Sequence, residues 1–220
     1  MKFATGCKFF LLAGGYGKRA QPLSFIKPKP LFPLHGTPLI QILLQRLQEK
    51  GLQEGWINLH YMPEILRQGV EESLKKPGAP QIRYLVEKEL SGSLILRAAA
   101  GQMTARDLLL VVNGDIYLDI PLEEMRTSLL NDDAEGILLV RENREKDPRY
   151  TIIRTGDNLF TGVEIFTGDH YKRDDLLMYT GVALFKKEVL QAIDDLNFFR
   201  TLERRKFKIR IFRYEGIWLD

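Results

Sequence analysis

Short apolar runs alternate along the chain with stretches whose apolar positions recur every three or four residues. This pattern predicts a parallel sheet covered by helices: a strand buried on both faces reads as a continuous apolar run, while a covering helix shows one apolar stripe. Strands are predicted over Lys8 to Ala13, Trp56 to Leu59, Ile82 to Val86, Leu108 to Val112, Gly136 to Val140, Tyr150 to Arg154, Tyr179 to Phe185 and Phe207 to Phe212. The clearest helix starts at Thr37 as N-cap, with Pro38 in the first helical position. Leu39, Ile40, Leu43, Leu44 and Leu47 form its stripe, and Gly51 is its stop. Further helices are expected over Pro63 to Leu74, Ser93 to Gln102, Leu122 to Leu130 and Lys187 to Leu196.

The rhythm changes at the polar loop Arg141 to Arg149. Before it strands and helices alternate strictly; after it three strand-like segments follow with no helix until Lys187, which predicts a smaller antiparallel lobe on the same sheet. No repeat, low-complexity tract or Pro/Gly/Ser-rich linker interrupts the chain, so a single α/β domain is expected over residues 1–220.

Composition narrows the picture. The 220 residues are 45% hydrophobic and 28% charged, which excludes a disordered, collagenous or disulfide-built chain. A net charge of +3 is too small to imply a nucleic-acid or membrane partner. The basic stretch Arg204 to Arg213 alternates Phe207, Ile209 and Ile211 with Lys208 and Arg210, as a half-exposed strand does. Cys7 is the one cysteine, which fits a reducing cytoplasm. The apolar run Phe9 to Ala13 is shorter than the roughly 7–15 residues a signal peptide requires. No segment approaches the ~18 apolar residues of a membrane span. His35, His60 and His170 lack partners at metal-ligand spacing, so none is read as a zinc ligand. His60, at the end of a predicted strand, is read as a satisfied structural histidine.

The first strand runs into Gly14-Gly15-Tyr16-Gly17-Lys18-Arg19. Three glycines let the backbone turn sharply and bring N–H groups close to a ligand, and two cations follow; the set suits phosphate, and equally a tight strand-to-helix turn. The spacing matches neither a Walker A loop nor a dinucleotide fingerprint. The stretch from Pro22 to Pro38 is too Pro-rich for a helix and is expected to run extended across the mouth of the sheet. Lys27 and Lys29 would then share one side and join Arg19 in a cationic cluster suited to a polyphosphate. Asp115, just past the end of a buried strand, stands where open α/β sheets bind ligands, although Asn113-Gly114-Asp115 is also a good turn sequence.

Leu12-Ala13-Gly14-Gly15-x-Gly17-x-Arg19-x-x-Pro22-Leu23, then Pro28-Lys29-Pro30-Leu31 and Gly36-x-Pro38-Leu39-Ile40, resembles the signature of the sugar-phosphate nucleotidyltransferases. The resemblance continues through Glu87 with Leu90-Ser91-Gly92-Ser93, Asn113-Gly114-Asp115, Tyr179-Thr180-Gly181 and Gly216-Ile217-Trp218-Leu219-Asp220. It implies a three-layer, Rossmann-like α/β/α fold with a mixed, mostly parallel sheet. Residues 1–140 would form a nucleotide-binding part and 141–220 an acceptor-binding part. The implied reaction joins a nucleoside triphosphate to a sugar 1-phosphate and releases pyrophosphate. Arg19 and Lys29 would be catalytic; Leu12, Ala13, Gly14, Gly15, Gly17, Lys18, Glu87, Gly92 and Ser93 would bind the nucleotide. Asn113, Thr151, Glu164, Tyr179 and Gly181 would bind the acceptor, and Asp115 and Asp220 would hold Mg²⁺.

The chain departs from the family where a Glu-Lys pair contacts the sugar and its phosphate, for here Glu164 is followed by Ile165. Lys172 or Arg173 in the nearby loop is a candidate substitute, and a solvated loop is the other reading of the same residues. That departure keeps open a cytidylyltransferase for a phospho-alcohol such as phosphocholine; a non-catalytic nucleotide-sensing subunit of the same fold is a separate reading, which the retention of Arg19, Lys29, Asp115 and Asp220 discriminates. Relatives normally continue past the last aspartate, so the chain is expected to be cut short at its C-terminus and Asp220 to be loosely held.

Overall fold

The computed structural model describes residues 6–167 and 176–220, so Met1 to Thr5 and the His170, Lys172 and Arg173 of the candidate substitute loop lie outside the described residues. The first half comprises β1 (Cys7–Leu12), the short hairpin β2 (Pro33–Leu34) and β3 (Thr37–Pro38), α1 (Leu39–Glu49), β4 (Glu54–Leu59), α2 (Pro63–Ser73), β5 (Gln81–Val86), α3 (Leu96–Ala100), β6 (Leu108–Asn113), β7 (Tyr117–Leu118) and α4 (Leu122–Asn131). The second half adds β8 (Gly136–Glu142), β9 (Ile152–Gly156), β10 (Leu159–Glu164), β11 (Leu177–Lys186), α5 (Lys187–Ala192), α6 (Phe198–Arg205), β12 (Ile209–Arg213) and β13 (Trp218–Leu219).

Nine strands form one sheet in the order β5-β4-β1-β6-β11-β8-β12-β10-β9. The β5-β4-β1-β6 portion is parallel; β11 then enters antiparallel to both β6 and β8. β9 pairs with β10 and also returns to β11, so the second-half strands curl back on themselves. Successive residues of a strand face opposite sides. Phe9 and Leu11 of β1 therefore join a core with Ile40, Leu43 and Leu47 of α1, while Phe10 joins another with Leu96 of α3, Val189 of α5 and Phe199 of α6. Helices on both faces make the three layers, and they explain why the central strands read as uninterrupted apolar runs. Among the described residues no helix is long and apolar enough to cross a membrane.

Several elements differ from the sequence expectation. Thr37 and Pro38 do not open α1; they pair with Pro33 and Leu34 as β3, across a turn whose residues His35 (φ 49) and Gly36 (φ 81) both have positive φ. Such a turn matches the twist of a hairpin and delays the helix to Leu39. The segment before it is not extended either: it coils into short 3₁₀ turns at Lys18–Ala20, Leu23–Phe25 and Lys29–Leu31. β10 was hidden by Gly162 and a weak alternation, although Asp157 and Asn158, both at positive φ, form the tight turn that pairs it with β9. In the basic stretch Arg204 and Arg205 close α6 and bond Asp194, and the strand begins only at Ile209. The helix has a proper cap, the Asn197 side chain accepting the Phe199 N–H at 3.1 Å.

Candidate active site

The parallel strands end on one edge, and there the glycine loop after β1 meets the loop after β6. The Gly114 N–H donates to Leu12 O at 2.8 Å, and a Cβ on Gly114 would stand 3.0 Å from that of Ala13. Only glycine permits this backbone approach, and it fixes where Asp115 emerges. The second carboxylate arrives on a two-strand ribbon: Trp218 and Leu219 of β13 pair with Leu118 and Tyr117 of β7, so Asp220 follows one strand of the ribbon and Asp115 precedes the other. Trp218 holds the ribbon down. Its Nε1–H donates to Thr180 O at 2.8 Å, and its ring packs edge-on against Tyr150, centroids 5.2 Å apart.

Both carboxylates meet Lys29. Its Nζ lies 3.1 Å from Asp115 Oδ2 and also donates to Asp220 Oδ1, while Arg19 stands 3.7 Å from Asp220 Oδ2. Pro28, Pro30 and Leu31 are buried around Lys29 and pin its short turn to the body. Burial acts to lower the Lys29 pKa, but the charge of Asp115 and the hydrogen bond to Asp220 outweigh it and leave the value raised. The ammonium is therefore permanently charged at neutral pH. Lys27 does not share this position. The 3₁₀ turns that replace the expected extended run leave it exposed. Asp220, expected to be loosely held, has a side chain only 11% exposed.

A second loop borders Asp220 and Arg19. Arg149 hydrogen-bonds Asp147 and holds its carboxyl below the usual range, and Arg19 adds to the effect. Tyr150 is pushed up by burial and by the negative charge of Asp220. Thr151 follows directly, its carbonyl accepting the Tyr179 N–H at 3.0 Å, and Glu164 stands in register with the neighbouring Ile152. Ile165, where the family's lysine was expected, is 87% exposed.

The expected nucleotide residues divide into two groups. Leu12 ends β1 and Ala13, Gly14, Gly15 and Gly17 form the loop beside Lys29, where a Cβ on Gly15 would meet nothing within 4 Å. Lys18 is exposed, with its Nζ 5.7 Å from the centre of the Tyr16 ring. Glu87 is buried and accepts from Asn58 Nδ2 at 2.6 Å and from the Ser91 N–H at 2.9 Å. Gly92 and Ser93, by contrast, are committed to packing. Gly92 lies against Leu196 O at positive φ, the Ser93 N–H donates to the same carbonyl, and Ser93 Oγ accepts the Phe198 N–H at 3.0 Å. Ser93 Oγ is thus turned to the start of α6.

Tyr179 is packed in the same way. Its ring lies against Phe198 and Phe199, its hydroxyl is buried without a partner among the described residues, and burial pushes its pKa up. The alternation along β11 sends it into the α6 core. Gly181 sits at φ 90 under Asn113, where a Cβ would lie 2.8 Å from Nδ2. Sequence reasoning missed Asn58 as a tie between two loops and Tyr16 as the partner of His60. The one available signal was Asn58-Leu59-His60, which places two polar residues on one side of a strand end.

A family model described as nucleotidyl transferase matches residues 8–206. The chain is 24% identical over 222 residues to the mannose-1-phosphate guanyltransferase of Schizosaccharomyces pombe, covering 97% of this chain and 60% of that protein. It spans 39–60% of the length of the curated relatives it matches. Among solved structures it is similar to HddC from Yersinia pseudotuberculosis complexed with GMP-PN, with TM-score 0.77, 21% identity and coverage of 97% of this chain and 92% of that one. It is also similar to the UDP-glucose pyrophosphorylase of Acinetobacter baumannii, with TM-score 0.79, 14% identity and coverage of 97% and 87%. With the family match running along residues 8–206, nearly the whole length of the chain, this chain belongs to the nucleotidyl transferase family.

Proposed function

We propose that the chain transfers a nucleoside monophosphate from a nucleoside triphosphate to a sugar 1-phosphate, releasing pyrophosphate. The observation that carries this reading is the convergence of Asp115 and Asp220 on Lys29 beside the glycine loop, with Arg19 3.7 Å from Asp220. A carboxylate pair held apart by a lysine suits a site where phosphates and a cation meet. An acceptor phosphate oxygen attacks the α-phosphorus in line, a new P–O bond forms, and the bond to the bridging oxygen of pyrophosphate breaks. No covalent step falls to the protein, so its task is positioning and charge neutralisation. The glycine loop and Arg19 hold the β- and γ-phosphates, Lys29 faces the α-phosphate, and Asn113, Thr151, Glu164 and Gly181 line the acceptor side.

Asp115 and Asp220 also fit a magnesium ion. Their oxygens already converge on one cation, and Mg²⁺ is commonly held by one or two carboxylates with substrate phosphates completing the shell. Bound there, it would neutralise phosphate charge. Guanosine triphosphate and mannose 1-phosphate are the proposed substrates, because the matched relatives carry the name mannose-1-phosphate guanyltransferase. Pyrophosphate release measured with each nucleoside triphosphate against sugar 1-phosphates and phosphocholine tests the reading, which no turnover with any sugar 1-phosphate would sink. Asp115→Asn is expected to abolish turnover with the fold intact.

A further inference from the structure

Two side chains at the end of β4 connect parts of the cleft that the sequence treats separately. Asn58 is buried, and its amide has only one orientation that satisfies its neighbours. Oδ1 accepts the N–H of Ala13 at 2.7 Å and of Gly14 at 3.2 Å, while Nδ2 donates to Glu87 Oε2 at 2.6 Å. The space is closed around this link, since a Cβ on Gly14 would stand 2.7 Å from Asn58 Nδ2 and 3.2 Å from His60 Cβ.

His60 makes a parallel link one step further out. Its Nδ1 lies 3.0 Å from Glu87 O, and a carbonyl only accepts, so Nδ1 carries the proton. In the neutral ring Nε2 is then the acceptor for the Tyr16 hydroxyl at 2.8 Å, and the two rings meet edge-on with centroids 5.2 Å apart. The Tyr61 N–H closes the set by donating to Gly14 O at 3.2 Å. The start of the glycine loop and its Tyr16 are therefore both tied through β4 to Glu87, by its carboxylate and its backbone.

We propose that Asn58 and His60 are positioning residues that fix the glycine loop relative to Glu87 before nucleotide arrives. The inference rests on the nucleotidyl-transfer reading above. A loop fixed in advance loses less freedom on binding, so weakening the tie acts on nucleotide affinity more than on the chemical step. Asn58→Asp is the informative change. It keeps the acceptor for both loop N–H groups but turns the donor into a second carboxylate facing Glu87, whereas Glu87→Gln supplies a donor that Asp can accept.

The test measures KM for nucleoside triphosphate, kcat and thermal midpoint for wild type, Asn58→Asp, Glu87→Gln, the double variant and Tyr16→Phe. The expected result is about a tenfold rise in KM for Asn58→Asp with kcat within about threefold. In the Glu87→Gln background the same change should move KM by less than about threefold. Tyr16→Phe, at an exposed side chain that carries no folding risk, should also raise KM. Independent multiplication of the Asn58 and Glu87 effects, or an unchanged KM alongside a lowered midpoint, overturns the inference. Wild type that turns over no nucleotide overturns the reading it rests on instead. Calorimetric titration of guanosine triphosphate into wild type and Asn58→Asp then decides the inference alone, equal affinities refuting it.

Discussion

Replacing Lys29 with methionine keeps most of the stem and removes the charge that separates Asp115 from Asp220. At 3.1 Å and an effective dielectric near 20, the Lys29–Asp115 attraction alone is roughly 5 kcal/mol. The three side chains are 18%, 28% and 11% exposed, so solvent screening and the cost of ordering Lys29 reduce the net contribution to about 1–2 kcal/mol. In a chain of this size that corresponds to a thermal midpoint lowered by about 2–8 °C. Arg19, 3.7 Å from Asp220 and more than half exposed, compensates only in part. Magnesium should recover more stability in the variant than in wild type, because the freed carboxylates accept the ion in place of the ammonium. The pH dependence follows from the raised Lys29 pKa: its contribution is intact below the ordinary lysine value of 10.5 and is lost as pH rises through the higher folded value. The midpoints of wild type and variant should therefore converge in strong alkali. For catalysis, loss of one charge beside the reacting phosphate should lower kcat by about 10²–10³. Circular dichroism melts with and without magnesium, together with pyrophosphate release, read all of this. A variant within about threefold of wild-type kcat, or one that magnesium does not rescue, refutes the reasoning.

Other substitutions separate packing from binding. Gly92→Ala places a Cβ 2.3 Å from Leu196 O at φ 55, so denaturant unfolding should show a loss of at least about 1–3 kcal/mol. Gly15→Ala meets nothing within 4 Å and should leave stability within about 0.5 kcal/mol while raising KM for nucleotide. Trp218→Phe removes the bond to Thr180 O and should cost about 0.5–1.5 kcal/mol in a urea titration, with a fall in kcat because β13 carries Asp220. Cys7 is buried in β1, and burial pushes its thiol up to about 12. A thiol reagent near pH 8 should label it far more slowly in the native protein than in urea, and rapid native labelling would contradict its core position.

The central strands and the stripe of α1 were legible in the residues because both depend on local periodicity, which burial on the sheet faces only reinforces. The glycine loop, Lys29, Asp115 and Asp220 were legible as residues, and the family resemblance implied that the two aspartates converge, but not that both bond Lys29. Asp220 reaches Lys29 from 191 positions away, on a ribbon of two residues per strand that no pattern announces. Lys27 and Lys29 look equivalent in sequence; a single 3₁₀ turn, set by the buried Pro28 and Pro30, sends one inward and leaves the other in solvent. Tyr179 and Ser93 match the family's motifs, yet α6 packs against both, and α6 was obscured by its adjacent phenylalanines and charged end. By itself the sequence determined the alternation of layers, the family signature and which residue types were available for phosphate chemistry, all of them properties of neighbouring residues. Only the tertiary structure decided which side chains face one another across the cleft, because charge pairing and close backbone approach depend on distances in space between segments far apart in the chain.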